Sequence, residues 1–183
     1  LSGDLTPEEF KNIINSEFGK KALRVGFLGG EPFLNRNIFD YINEASRLRK
    51  IVTVVTNSSL LKGDILKKLL NSKIDAIGLS LYDNNVEDVK RVAEALSSKK
   101  QFWVQTIVNT ADYRKMESVI NLCMKIKCSH LIFDNYYPKD SERSSLTIFD
   151  DNVAYLEEMK RLKKIYGTKI KITWVPLVQR KIT

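Results

Sequence analysis

Histidine and cysteine are the scarcest reactive side chains in this sequence. His130 is the only histidine among 183 residues, and Cys123 and Cys128 are the only cysteines. One histidine excludes a multi-histidine metal site. Read as a surface or structural residue, His130 also leaves a catalytic triad without its base. Two cysteines exclude a disulfide scaffold. They lie five residues apart in a segment read as helical, which places them about 140° apart around the helix. That separation suits neither a disulfide nor a shared metal, so two separate thiols in a reducing compartment are expected. No apolar run approaches the ~18 residues of a membrane span. The start, Leu1-Ser2-Gly3-Asp4, carries no basic segment followed by an apolar stretch, so neither a membrane span nor a signal peptide is expected, and the reading is cytoplasmic. Low-complexity linkers are also missing.

What is present suits one folded domain. Hydrophobic residues make up 43% and charged residues 28%, and a chain of this size buries roughly 70% of its unfolded surface. The formal net charge is +8, which invites nucleic acid, an acidic membrane surface or an acidic partner. Its distribution narrows the choice. Residues 1–159 hold 22 basic and 22 acidic residues, whereas residues 160–183 hold eight basic residues and no acidic one. The charge is therefore terminal. It reads as a solvated helix face or as a docking patch for an acidic electron donor or substrate segment. No helix-turn-helix or aromatic RNA-binding signature accompanies it, so no nucleic acid is expected.

Along the chain, β-branched and aromatic runs occur at residues 22–28, 51–56, 75–81, 102–108, 130–136 and 169–175. All but the last are spaced about 24 to 29 residues apart, the length of a strand plus a crossover helix. Amphipathic stretches fill the gaps. Thr6-Pro7-Glu8-Glu9 has the form of a capping box. Asn37 is placed to cap 38–48, Asn85 to cap 86–96, Asp112 or a neighbour to open the helix carrying Met116, and Asp150 or Asp151 to open a helix reaching Tyr166 before Gly167. The runs at 52–55 and 77–81 are nearly continuous in apolar residues and read as covered on both faces. The expected class is α/β, parallel βα repeats in a single domain over 1–183. Tyr137–Ser145 is the one long polar loop.

Ligands in such folds bind at the carboxyl ends of the strands. Those ends here are Gly29-Gly30-Glu31-Pro32, Thr56-Asn57-Ser58-Ser59, Ser80-Leu81-Tyr82-Asp83, Asn109-Thr110 and Asp134-Asn135-Tyr136-Tyr137-Pro138. They offer no nucleophile–base pair, which favours holding a polar cofactor. Gly29-Gly30 lets a ligand approach the backbone. Pro32 pushes Glu31 into extended geometry, which would project its carboxylate from the strand end toward an ammonium group. An ordinary turn with a surface glutamate is the plain alternative.

These residues carry a resemblance. Gly-Gly-Glu-Pro after an apolar strand, Thr56-Asn57-Ser58 matching Thr-Asn-Gly except for the glycine, Ser80 ending the next strand, and a later strand ending near Tyr136-Tyr137-Pro138 resemble, in order and spacing, the core of a radical S-adenosylmethionine (radical SAM) enzyme. The resemblance covers about residues 5 to 166 and implies a partial TIM-like barrel. It implies S-adenosylmethionine and a 4Fe–4S cluster as cofactors, with reductive cleavage to a 5′-deoxyadenosyl radical that abstracts hydrogen from a substrate. It implies cofactor binding by Gly29, Gly30, Glu31, Pro32, Thr56, Asn57, Ser80, Gln105, Asn109 and Tyr137. Of these, Gly30 and Glu31 would hold the methionine ammonium and Ser80 the carboxylate or ribose region, with backbone near Tyr137 at the adenine. A flavodoxin- or ferredoxin-type electron donor and a peptide or small-molecule substrate follow as partners. Members that modify peptides or proteins are most similar; makers of molybdenum cofactor and activators of glycyl-radical enzymes are the other groups.

One departure is large. The family's Cys-x3-Cys-x2-Cys is absent, and Cys123 and Cys128 do not replace it. No catalytic or metal-ligating residue is therefore assigned within this chain. Together with the Leu1 start, this leads us to expect a piece of an enzyme lacking its first strand and cluster loop, inactive alone, with 169–183 leading toward a further C-terminal domain. The rival is a degenerate module that binds S-adenosylmethionine or a nucleotide without cleaving it.

Overall fold

The computed structural model describes residues 5–137, 145–150 and 152–174. Pro138 and the rest of the polar loop to residue 144, Asp151, and residues 175–183 with Arg180 and Lys181 lie outside them, as does Leu1.

The capping box forms as its sequence dictates. Glu9 N–H donates to Thr6 Oγ1 at 3.2 Å and Thr6 N–H donates to Glu9 Oε2 at 2.8 Å, opening α1 (Pro7–Asn15). Ser16 Oγ accepts from Gly19 N–H at 3.1 Å and opens the short α2 (Glu17–Lys21), which the periodicity did not reveal. The remaining elements are β1 (Arg24–Phe27), α3 (Ile38–Arg47), β2 (Ile51–Thr56), α4 (Gly63–Asn71), β3 (Ala76–Ser80), α5 (Val86–Leu96), β4 (Gln101–Val108), α6 (Met116–Lys125), β5 (His130–Asn135), α7 (Val153–Tyr166) and β6 (Lys171–Trp174). The expected alternation of strand and helix is thus present, with boundaries shifted by one or two residues.

The chain divides into two compact units, Leu1–Ser80 with Asn85–Phe102, and Leu81–Asn84 with Trp103–Thr183. In the first, β1 pairs with β2 and β2 with β3, all parallel, with Gly26 opposite Thr53 and Val55 opposite Gly78. Its core joins Val54 and Leu79 to Ile42 of α3, Leu69 of α4 and Val92 of α5. The rings of Phe10 and Tyr41 stack at 4.7 Å and seat α1 on α3. In the second unit, β4 pairs with β5 and β5 with β6, again parallel, with Ile107 opposite Asp134 and Ile132 opposite Thr173. Phe133 stacks on Trp174 at 4.9 Å. Glu117 of α6 accepts from Arg161 and from Tyr166 of α7, so part of the terminal basic charge is ion-paired.

Several local expectations need correction. β3 is buried on both faces from Ile77 onward, but β2 alternates buried with half-buried positions, and Ile51 is exposed. Asn37 and Asn85 precede their helices without a side-chain cap bond. Asp112 is drawn instead to Asn109, whose N–H donates to its Oδ1 at 2.9 Å. The cap of α7 is Asn152, whose Oδ1 accepts from Tyr155 N–H at 3.0 Å, not either aspartate. Cys128 is not helical. α6 ends at Lys125, and Lys127 takes φ +57°. That turn folds Cys128 back, and its N–H donates to Cys123 carbonyl oxygen at 2.8 Å. The two residues therefore meet at the helix end, and the 140° separation does not apply.

Candidate functional site

The carboxyl ends of β1, β2 and β3 lie within the first unit and are joined by side chains. Gly29 has φ +133°, a conformation open to glycine alone, and turns the chain out of β1. A Cβ placed on Gly29 or Gly30 would meet nothing within 4 Å, so both backbones face open space. Glu31 is extended (φ −149°) and leads into the 3-10 turn Pro32–Leu34, where Pro32 and Phe33 are buried.

The Glu31 carboxylate is half-buried and turned onto β2. Its Oε1 accepts from Thr56 Oγ1 at 2.9 Å and from Phe33 N–H at 3.2 Å, and its Oε2 accepts from Asn57 N–H at 2.9 Å. Three of roughly four acceptor positions are thereby used. Thr56 is buried and its Oγ1 also accepts from Ser58 N–H at 3.1 Å. Ser58 stands where the family pattern has glycine, and it carries the glycine-like φ of +70°. It is fully buried, and its hydroxyl is the one buried side-chain oxygen among the described residues that lacks a hydrogen bond.

Asn85 completes the join. It is buried, and its Nδ2 donates to Asn57 carbonyl oxygen at 2.9 Å and to Ser80 carbonyl oxygen at 2.8 Å. The end of β1 is thus tied to β2 by Glu31, and the end of β2 to β3 by Asn85. Gly29, Gly30, Glu31, Pro32, Thr56, Asn57 and Ser80 all take part in this ensemble. Ser58, at the glycine position of the pattern, and Asn85, expected as a helix cap, are not among the site residues the sequence suggests. A non-glycine residue at a glycine position was the available signal for Ser58, while nothing local distinguishes Asn85 from a helix cap.

Gln105, Asn109 and Tyr137 lie in the second unit. Gln105 Oε1 accepts from Trp103 Nε1–H at 3.2 Å, and its carbonyl oxygen accepts from Leu81 N–H at 2.8 Å. Asn109 is committed to the turn after β4: its Oδ1 accepts from Ala111 N–H at 2.8 Å, and its Nδ2 donates to Asp112 at 3.1 Å. Tyr137 follows β5 and is exposed. On β5, buried Asn135 grips Ile148 through both amide atoms at 2.7 and 3.2 Å. Asp134, on the opposite face of the strand, is half-buried, and that burial raises its pKa above the ordinary carboxylate value.

The chemistry of the first-unit site can be compared with the two cofactors the resemblance implies. Bare glycine backbone, an orphaned hydroxyl and polar strand ends fit a polar small molecule such as S-adenosylmethionine. A 4Fe–4S cluster needs a set of thiolates. The two cysteines lie in the other unit, both buried, and no group of three or more potential metal ligands occurs among the described residues. The residues present do not fit a cluster.

Comparison with known proteins adds the family. The sequence model of the Radical SAM superfamily matches residues 1–107, more than half of the chain. This chain belongs to the radical SAM superfamily. The radical SAM fold extends beyond that match. SuiB of Streptococcus suis bound to S-adenosylmethionine superposes with a TM-score of 0.75 at 18% identity, over 96% of this chain and 45% of SuiB. Native anSMEcpe, with bound AdoMet and the Cp18Cys peptide, does so with a TM-score of 0.72 at 19% identity, over 93% of this chain and 56% of its own. By sequence, the PqqA peptide cyclase of Granulibacter bethesdensis is 28% identical over 89 residues, 49% of this chain and 24% of the cyclase. A tungsten-containing aldehyde ferredoxin oxidoreductase cofactor-modifying protein of Pyrococcus furiosus is 19% identical over 98% of this chain and 57% of its own. This radical SAM chain therefore spans between a quarter and three fifths of these relatives. No helix among its described residues is long and apolar enough to cross a membrane.

Proposed function

We propose that this chain supplies the S-adenosylmethionine-binding core of a radical SAM enzyme that modifies a peptide. The observation that carries the reading is the joined set of strand ends. Gly29 and Gly30 leave backbone open beside a carboxylate, and Glu31 and Asn85 fix the two adjoining strand ends in place. Rigidly held polar groups are what a cofactor site requires.

Bound there, S-adenosylmethionine would supply the radical precursor. Backbone at Gly29 and Gly30 and the remaining acceptor position of Glu31 would meet its ammonium group. Thr56, Asn57 and Ser80 would border the rest, and Gln105, Asn109 and Tyr137 stay as proposed contacts at the other strand ends. The peptide substrate rests on the relatives: a peptide cyclase, SuiB bound to precursor peptide SuiA, and anSMEcpe with its peptide. An electron donor of flavodoxin or ferredoxin type and a cytoplasmic setting belong to the same reading.

With two cysteines in 183 residues, this chain alone cannot supply three thiolates, and by itself it is inactive. That count also favours the second reading, a module that binds S-adenosylmethionine without cleaving it. Both readings require binding. Calorimetric titration of S-adenosylmethionine into the chain tests it, with Gly30→Val as the control. The new side chain enters open space, so folding is unchanged while the ligand's approach is blocked. Equal affinity in the wild type and Gly30→Val would remove the assignment. If both bind and only a longer chain with a cluster produces 5′-deoxyadenosine, the enzyme reading stands.

A further inference from the structure

The second unit holds a pair of nucleophilic groups that the cofactor site does not use. Helix α6 ends in a Schellman motif. Lys127 N–H donates to Met124 carbonyl oxygen at 3.1 Å, and Cys128 N–H donates to Cys123 carbonyl oxygen at 2.8 Å. In this motif the residues at the third-last helical position and the second position past the cap come into side-chain contact. Here both are cysteines. Cys123 has no exposed surface and Cys128 is 7% exposed. The Cys128 thiol donates to His130 carbonyl oxygen at 3.1 Å. Both cysteines are thus free, buried and brought together by the backbone bond that closes the helix end.

We propose that Cys123 and Cys128 form a redox-active dithiol, which closes to an intramolecular disulfide by exchange with a low-molecular-weight disulfide. The two sulfur atoms divide the work. Donating to Cys128, together with burial, pushes the Cys123 thiol up, whereas accepting from Cys123 lowers that of Cys128. Cys128 therefore attacks first, as the thiolate. It forms a mixed disulfide and releases one small thiol. Cys123 then attacks the Cys128 sulfur, loses its proton, and releases the second small thiol. Two protein thiols are oxidised and one small disulfide is reduced to two thiols, so atoms and electrons balance.

Access comes from the helix end. Lys127 holds a positive φ that is strained for a non-glycine residue, and the cap is held by the two bonds named above. Opening of such a terminus needs far less free energy than global unfolding. Once the first bond has formed, the adjacent second thiol outcompetes any thiol in solution. The disulfide would pin the end of α6 to the entry of β5, fixing a turn that is otherwise held only by hydrogen bonds.

The test uses the full chain, folded, with oxidised glutathione at mildly alkaline pH. Intact mass should fall by two hydrogens, without a glutathione adduct and with no thiol left to titrate after unfolding. Lys125 and Lys127 lie between the two cysteines. Trypsin therefore separates them, and only the disulfide keeps the peptides beginning at Met116 and Cys128 together. Cys123→Ser should accumulate the glutathione adduct at Cys128, and Cys128→Ser should react markedly more slowly, since the thiol that remains has no exposed surface. A stable adduct on the wild type, two thiols still titratable, or oxidation only after denaturant is added would each overturn the proposal.

Discussion

Thr56 Oγ1 donates to Glu31 Oε1 at 2.9 Å, so the carboxylate that follows the double glycine is anchored to the end of the neighbouring strand. The neighbouring backbone N–H of Asn57 donates to the other carboxylate oxygen at 2.9 Å. Glu31 is at once a brace between β1 and β2 and the charge beside the bare glycines. The geometry of the first-unit site therefore depends on this one side chain.

Glu31→Gln separates the two roles. The amide oxygen can still accept from Thr56 and Phe33, but the amide nitrogen then faces Asn57 N–H, donor against donor. Hydrogen bonds to a charged group contribute about 1.5–3 kcal/mol each. Glu31→Ala is expected to lower unfolding free energy by about 2–4 kcal/mol, and Glu31→Gln by roughly half as much, by urea titration. Equal stability of all three proteins would show that the brace carries no load.

Asn85 offers a sharper contrast, because its amide faces two carbonyl oxygens. Asn85→Asp puts an anion against them, and Asn85→Ala only removes the donor. The aspartate is expected to cost more than the alanine, which itself costs about 1–3 kcal/mol through the unsatisfied buried carbonyls. As the side chain makes no cap bond, a cap-type preference for aspartate at this position in thermal melts would contradict the geometry.

Ser58 carries strain in a left-handed conformation and an orphaned hydroxyl. Ser58→Gly should therefore stabilise the fold by about 1–2 kcal/mol. If the hydroxyl meets the cofactor, the same substitution weakens S-adenosylmethionine binding. Stability and affinity moving in opposite directions in one variant would identify Ser58 as a binding residue; a loss of stability would refute the strain.

Asp134 gives a pH signature. Burial raises its folded pKa, so the folded state binds the proton more tightly than the unfolded state does. The stability linked to this group is fully present below the unfolded carboxylate pKa and is lost as pH rises through the higher folded value. Asp134→Asn is expected to be more stable than wild type at neutral pH, with the difference vanishing in acid. Chemical denaturation across pH 3 to 7 on the carboxylate scale tests this. A gap that widens in acid would contradict it.

Much of this was legible in sequence, and what was not has physical reasons. The strands announced themselves by β-branched runs, and the capping box of α1 was readable because both its partners lie within four residues. The site residues of β1 to β3 were marked by the double glycine and the polar strand ends. The uses of Asn85 and Asn109 were hidden, because asparagine before a helix satisfies local rules while its actual partner is decided by what packs nearby. The meeting of Cys123 with Cys128 was missed because Lys127, not glycine, takes the left-handed position that ends α6. The α7 cap falls one or two residues past the expected aspartates, since Asp150, Asp151 and Asn152 have similar capping chemistry.

The central claim is that the ends of β1, β2 and β3 form a site for S-adenosylmethionine. Backbone amide NMR of the isotope-labelled chain, titrated with S-adenosylmethionine, tests it most directly. Saturable shifts are expected at Gly29, Gly30, Asn57, Ser58 and Ser80, and are expected to disappear in Gly30→Val. An unchanged spectrum, or shifts confined to residues away from these strand ends, would contradict the claim.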